Sequence, residues 1–225
     1  MTEKIRPIIT ADESVTFYNA KFNECYHTKA GAIKEAEIKH VQPCNPGSFD
    51  KVRILDVCFG LGYNSLMAIN AAGNAKIHIT ALENDIGIIR KILSLNLGLH
   101  AFQYIKGLAE TALNSKQNYV EYKKDNVEIH LFLGDAKQTI DKVCGDYDCV
   151  FFDPFSPKNC PELWTQYFFR KIYEKCNRCC TLTTFSCAKW VRENMKAAGF
   201  KVKDGPVFGR KAPGTVAYLD ESFID

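Results

Sequence analysis

The sequence predicts an open α/β fold on a mostly parallel sheet of seven strands. Three observations predict it. Apolar runs alternate with amphipathic segments, a glycine turn joins the first regular run to a helical segment, and acidic residues close several of the runs. Parallel neighbours need crossover connections, which the amphipathic segments supply. At 225 residues and 46% hydrophobic, the chain has material for one domain of ordinary core size with an extension.

Residues 1–50 lack the alternation and read as an N-terminal extension or small lobe. Thr16 to Tyr26 mixes aromatic and polar residues, Lys29 to His40 is charged and compatible with a helix, and Pro43 to Gly47 is a loop. Residues 51–225 form the α/β domain. Five strands are predicted at Arg53 to Cys58, Lys76 to Glu83, Val127 to Leu133, Tyr147 to Phe152 and Cys180 to Phe185. Helices are predicted at Tyr63 to Ala72, Asp85 to Leu97, Asp135 to Val143, Pro161 to Lys175 and Ala188 to Ala198. In the last of these, Val191, Met195 and Ala198 recur at helical spacing. Phe200 to Lys203 and Thr215 to Leu219 add two short strands, making seven.

Several function classes are disfavoured. No uninterrupted apolar stretch of about eighteen residues exists, and Met1 leads into Glu3, Lys4 and Arg6, so a soluble, cytoplasmic protein without membrane contact is expected. Ten cysteines spread over a chain with ample apolar residues are expected to be reduced. Cys176, Cys179 and Cys180 lack a second paired set, and the histidines at 27, 40, 78, 100 and 130 form no close pair, so no metal is expected. The net charge of +3 is unevenly placed. Arg170 to Lys211 holds eleven Lys/Arg against three Asp/Glu, a basic surplus suited to a phosphate-rich partner.

The chemistry collects at strand ends. Asp56-Val-Cys-Phe-Gly60-Leu-Gly62 closes one strand and opens a helix, where glycines allow close backbone approach and the helix N-terminus favours a negative group. A third glycine is missing, which disfavours NAD. As the acidic-x-G-x-G-x-G element of class I S-adenosylmethionine methyltransferases, the segment fits except at Cys58. Glu83, twenty-three residues beyond Gly60, stands where a carboxylate accepts ribose hydroxyls, and Asp135 after Gly134 stands where an acid receives an adenine amino group or caps a helix. Asp153-Pro154-Phe155-Ser-Pro holds one acid in a stiffened loop, suited to hydrogen-bonding an amine and stabilising the positive charge that develops on it.

These residues together resemble a known family, the methyltransferase half of the bifunctional bacterial enzyme that completes 5-methylaminomethyl-2-thiouridine at the tRNA wobble position. The resemblance runs through Ile9 to Asp12, Phe17 to Asn19, Tyr26 to Glu35, Ile54 to Asn64, Asp153 to Trp164, Leu182 to Ser186 and Phe208 to Lys211; Pro161 to Thr165 is its most specific segment. It implies a class I, Rossmann-like fold and methyl transfer from S-adenosyl-L-methionine to the amine of 5-aminomethyl-2-thiouridine in the tRNA anticodon region. It further implies that Asp56, Gly60, Gly62 and Asn64 face the cofactor's methionine end, that Glu83 takes its ribose and Asp135 with Ala136 its adenine, and that Asp153 is the catalytic acid. Tyr26, Glu35, Pro154 and Phe155 would meet the substrate together with Trp164, Arg210 and Lys211, with Phe155, Trp164 and Tyr26 as ring platforms for the base. No oxidase domain is expected here, so the aminomethyl substrate would come from a separate enzyme. Methylation of another amine, adenine N6 or a polyamine-like molecule, is the alternative enzyme reading; a catalytically silent RNA-binding module is the alternative of another class.

Overall fold

A computed structural model describes residues 6–219; Glu3 and Lys4, cited above against a signal peptide, lie outside the described residues. The described residues begin with a small antiparallel sheet, β1 (Arg6–Ile9), β2 (Val15–Asn19) and β3 (Glu24–Cys25). A continuous helical run follows: α1 (Ala32–Glu35), a π-helical stretch over Ala36–Val41, and α2 (Gln42–Cys44). The alternating part comprises β4 (Lys51–Val57), α3 (Tyr63–Ala72), β5 (Lys76–Glu83), α4 (Ile86–Ile92), α5 (Phe102–Asn114), β6 (Tyr119–Lys124), β7 (Val127–Leu133) and α6 (Ala136–Thr139). It continues with β8 (Tyr147–Phe152), α7 (Gln166–Tyr173), β9 (Cys176–Thr184), α8 (Lys189–Ala197), β10 (Lys201–Asp204) and β11 (Thr215–Tyr218).

The main sheet has the order β10-β11-β9-β8-β4-β5-β7-β6, with a parallel centre from β9 to β7 and antiparallel edges. It has eight strands rather than seven. The extra one, β6, hairpins onto β7 through Asp125, which has φ 53°. Its charged, mostly exposed sequence Tyr-Val-Glu-Tyr-Lys-Lys carries little apolar signal, as an edge strand can. No helix is predicted from the sequence where α5 forms, although Phe102, Ile105, Leu108, Ala109 and Ala112 make a buried stripe along it. The predicted helix over 161–175 divides at Thr165, whose hydroxyl caps α7 by accepting from the Phe168 N–H.

Each sheet face has its own core. Ile54, Ile77, Ile79, Ile129 and Leu131 belong to the cluster that includes α3, α4 and α5, and Phe17, Ala32, Ala36 and Val41 of the N-terminal segment join it. Leu55, Val57, Leu82, Val150 and Phe152 share the other with Phe168, Ile172, Val191 and Met195 of α7 and α8. Burial on both faces explains why the central strands read as continuous apolar runs. The order reverses at β4, between β5 and β8, so a crevice opens at the carboxyl ends of these strands. No helix among the described residues is long and apolar enough to cross a membrane.

Candidate active site

That crevice is a cavity of about 700 Å³. Its floor comes from Cys58 and Gly60 after β4, Glu83 to Asp85 after β5 and Asp153 to Ser156 after β8. The N-terminal segment closes one side with Phe22, Tyr26, Glu35 and Lys39, and Phe208 to Arg210 close another. The segment read as an N-terminal extension therefore supplies walls of the site.

The turn after β4 depends on backbone geometry that few residues accept. Gly62 has φ 75°, and a Cβ there would stand 2.6 Å from the Phe59 ring and 2.9 Å from Ile105. Cys58 occupies the left-handed region as well, at φ 68°, so a glycine-type backbone carries a thiol that reaches the cavity. Burial pushes that thiol well above the usual cysteine range, which keeps it protonated and neutral.

Glu83 is gripped by the backbone. Gly60 N–H donates to Oε2 at 2.7 Å, and the N–H groups of Asn84 and Asp85 donate to Oε1 at 2.8 and 2.9 Å. Burial nevertheless outweighs these bonds and raises its pKa. Asp153 accepts from Asn64 Nδ2 at 3.0 Å, and its Oδ1 lies 3.7 Å from His40 Nε2. Burial and the nearby Glu35 charge push Asp153 up to about 6. His40 is fully buried on the π-helical stretch, with Nδ1 3.1 Å from Thr183 Oγ1, and burial brings it down to about 4, so it is neutral. A π-helical stretch is a frequent mark of a functional site; its only trace in the sequence is a charged helical segment containing one histidine.

The remaining predicted residues divide. Tyr26, Glu35, Pro154, Phe155 and Arg210 line the cavity. Phe155 stacks on Phe22 at 4.3 Å and meets Tyr26 edge-on at 5.0 Å, making one aromatic wall. Glu35 is paired with buried Lys39 at 2.9 Å; burial opposes its ionisation, but Lys39 and the Thr28 N–H hold its pKa below the usual value. Arg210 directs its guanidinium to the carbonyls of Phe185 and Pro213.

Trp164 departs from the sequence reading, and other predicted residues lie outside the cavity lining. Trp164 is fully buried, packs edge-on against Phe152 at 4.9 Å and donates Nε1–H to the Phe155 carbonyl, so it supports the loop and offers no face to a base. Asp56 lies beneath the turn, where its Oδ2 accepts from Ser65 Oγ at 2.6 Å. Asp135 caps α6 through the Lys137 N–H at 2.9 Å and, like Ala136, Gly62 and Lys211, is not part of the cavity lining. Arg192, in the basic window, is committed to Asp204 at 2.7 Å and to Thr215 and Gly214. Sequence reasoning missed Glu24, which accepts from Ser156 N–H at 2.8 Å, Asn159 Nδ2 at 2.6 Å and Ser156 Oγ, tying β3 to the loop after β8.

The cavity floor is acidic. Lys39 is paired with Glu35 and Arg210 with backbone carbonyls, Lys21 and Lys29 stand elsewhere in the lining, and Glu83, the partly buried Asp153 and the underlying Asp56 are acids with raised pKa values. Asn64 Oδ1, on the side chain that donates to Asp153, has no partner. A ligand carrying positive charge at the floor would favour the ionised forms of Glu83 and Asp153. S-adenosylmethionine, with its sulfonium and ammonium groups, fits that donor set.

Comparison with known proteins agrees with this chemistry. Residues 100–220 match the family model described as S-adenosyl-L-methionine-dependent methyltransferase. The chain belongs to that family and is an S-adenosylmethionine-dependent methyltransferase of the class I fold. Along its whole length it resembles more particular relatives. The crystal structure of MnmC2 from Aquifex aeolicus superposes with a TM-score of 0.81 at 30% identity, covering 97% of this chain and 71% of that one. An uncharacterised protein of Methanocaldococcus jannaschii is 32% identical over 214 residues, 95% of this chain and 59% of the relative. The tRNA 5-methylaminomethyl-2-thiouridine biosynthesis bifunctional protein MnmC of Leptospira interrogans is 24% identical over 237 residues, 97% of this chain. The chain spans only 36% of that relative's length.

Proposed function

We propose that the chain methylates the aminomethyl nitrogen of 5-aminomethyl-2-thiouridine at the wobble position of tRNA, giving 5-methylaminomethyl-2-thiouridine. The observation that carries this reading is Asp153, a partly buried carboxylate at the cavity floor, held by Asn64 and flanked by Pro154 and the Phe155 wall. The similarity to MnmC proteins supports the choice of acceptor.

Bound S-adenosylmethionine supplies an electrophilic methyl group and retains the electron pair of the broken C–S bond. The protein's work is positioning and proton handling. An aminomethyl group enters mostly as an ammonium and must lose a proton before its nitrogen is nucleophilic. Asp153, ionised at neutral pH, accepts a hydrogen bond from that nitrogen and then its proton. Neutral His40 behind it adds no positive charge that would hold the carboxylate back from protonation. The Phe155–Phe22–Tyr26 wall suits stacking of the uracil ring at its exposed edges.

The test is mass spectrometry of nucleosides from tRNA carrying the aminomethyl group, incubated with the protein and labelled methyl donor. The expected product is labelled 5-methylaminomethyl-2-thiouridine, with turnover lowered about 100-fold or more in Asp153→Asn while donor binding persists. Label on adenine or on a polyamine instead would assign a different acceptor, and RNA binding without label would leave a silent module.

A further inference from the structure

The histidines that stand far apart in the sequence are not apart in the fold. β5 and β7 run parallel with His78 opposite Glu128, and His130 lies two residues further along the same face of β7. The His78 and His130 rings meet at 4.4 Å, at 70°. His78 Nδ1 lies 3.4 Å from Glu128 Oε1, and His130 Nε2 lies 3.0 Å from the same oxygen. One ligand atom from each residue falls within 4.8 Å of the others. Neighbouring ligands around tetrahedral zinc, at bonds of about 2.0–2.1 Å, stand roughly 3.4 Å apart.

The outer contacts sharpen this. The Tyr119 hydroxyl, which donates to Glu121 Oε1 at 2.5 Å, lies 3.2 Å from His130 Nδ1 and fixes the ring with Nε2 turned to Glu128 Oε1 at 3.0 Å. The remote nitrogen of His78 faces a hydroxyl too, Thr80 Oγ1 at 3.5 Å. Metal-bound histidines are oriented in this way through their second nitrogen. All three side chains keep some exposure, at 22%, 32% and 19%, so an ion has access. Glu121, opposite His130 in the β6–β7 register, has Oε1 3.7 Å from His130 Nε2 and is in reach as a fourth ligand. Lys123 holds the other oxygen of Glu128 at 2.8 Å and leaves Oε1 open.

We propose that His78, Glu128 and His130 form a binding site for a divalent transition-metal ion of the zinc type, which clips β5 to β7 with Glu121 adding β6. This goes against the sequence expectation of no metal. Two histidines and a carboxylate are the donor set such ions prefer over magnesium or calcium. The site lies five residues before Glu83 on β5, roughly 17 Å along the strand from the cavity floor, and does not rest on the proposed acceptor.

The test uses the full chain, free of any affinity tag, stripped with chelator and kept reduced. Zinc is titrated with calorimetric and thermal-shift readouts, and cobalt with an absorption readout. Expected are one equivalent of zinc lost in the double variant His78→Asn/His130→Asn, a melting temperature raised by zinc in the parent only, and affinity about 10-fold weaker in Tyr119→Phe. In the parent chain, zinc should also move the imidazole nitrogen resonances of His78 and His130, a readout that needs no variant. Equal stoichiometry in parent and double variant, a cobalt spectrum wholly of thiolate type, or unmoved imidazole resonances would each overturn the site and leave a triad held by protons alone.

Discussion

At the scale of single residues, the site is a set of acids held in unfavourable surroundings. Asp56 shows the effect most plainly. Burial pushes it to about 7 from an ordinary value of 3.8, with Asp153 and Glu83 adding repulsion. Between those two values the folded protein binds a proton that the unfolded chain does not, so stability falls as pH rises through that window. The difference in unfolding free energy between the parent and Asp56→Asn is expected to shift by a few kcal/mol in favour of the variant from pH 4 to pH 8, since each unit is worth about 1.4 kcal/mol. Urea unfolding at several pH values, without donor, measures it; a constant difference would show that Asp56 is not held protonated. Cys58 stores strain of another kind. At φ 68° a side chain costs about 1–2 kcal/mol, so Cys58→Gly is expected to stabilise the chain by up to about 1 kcal/mol after the added chain entropy of glycine. A denaturation midpoint that falls would contradict this.

At the scale of elements, the decisive contact joins the small N-terminal sheet to the loop after β8. Glu24 accepts from Ser156 and Asn159, and Trp164 secures the same loop from below through the Phe155 carbonyl. The loop carries Asp153 and Phe155, so its placement sets the aromatic wall and, in the proposed reaction, proton acceptance. Glu24→Ala should leave the fold intact and lower kcat/KM for the aminomethyl acceptor about 10-fold or more, because small misplacement of reacting groups is costly. Steady-state kinetics with both substrates varied, beside a donor-induced thermal shift, separates this from loss of donor binding. None of it is legible in a linear reading, since Glu24 and Ser156 are 132 residues apart. The sequence also leaves open which face of a segment turns inward, so Trp164, in a distinctive Pro-Glu-Leu-Trp-Thr segment, reads as readily as a platform as a core ring.

At the scale of the whole molecule, the way the basic charge is used bears on the proposed tRNA partner. The basic surplus between Arg170 and Lys211 is partly spent inside the fold, since Arg192 and Arg210 bond to the protein. Lys189, with a side chain 92% exposed, stays at the surface 3.8 Å from Glu193. With fewer free cations than the sequence count suggests, the proposed tRNA affinity should fall with salt at a log–log slope of only a few units, set by the phosphates neutralised. Filter binding from 50 to 200 mM salt reads the slope; a value near zero would remove phosphate contact from the proposal.

The sequence by itself determined the alternation of strands and helices, the glycine turn and the strand-end positions of Asp56, Glu83, Asp135 and Asp153. These follow from periodicity and turn chemistry, which act over a few residues. The tertiary structure decided which acids share a cavity, that Asp56 lies beneath the turn while Asp135 caps a helix, and that His40 stands behind Asp153 and His78 beside His130. Strand register and packing between distant segments make those choices, because a shift of one residue along a strand moves a side chain to the opposite face.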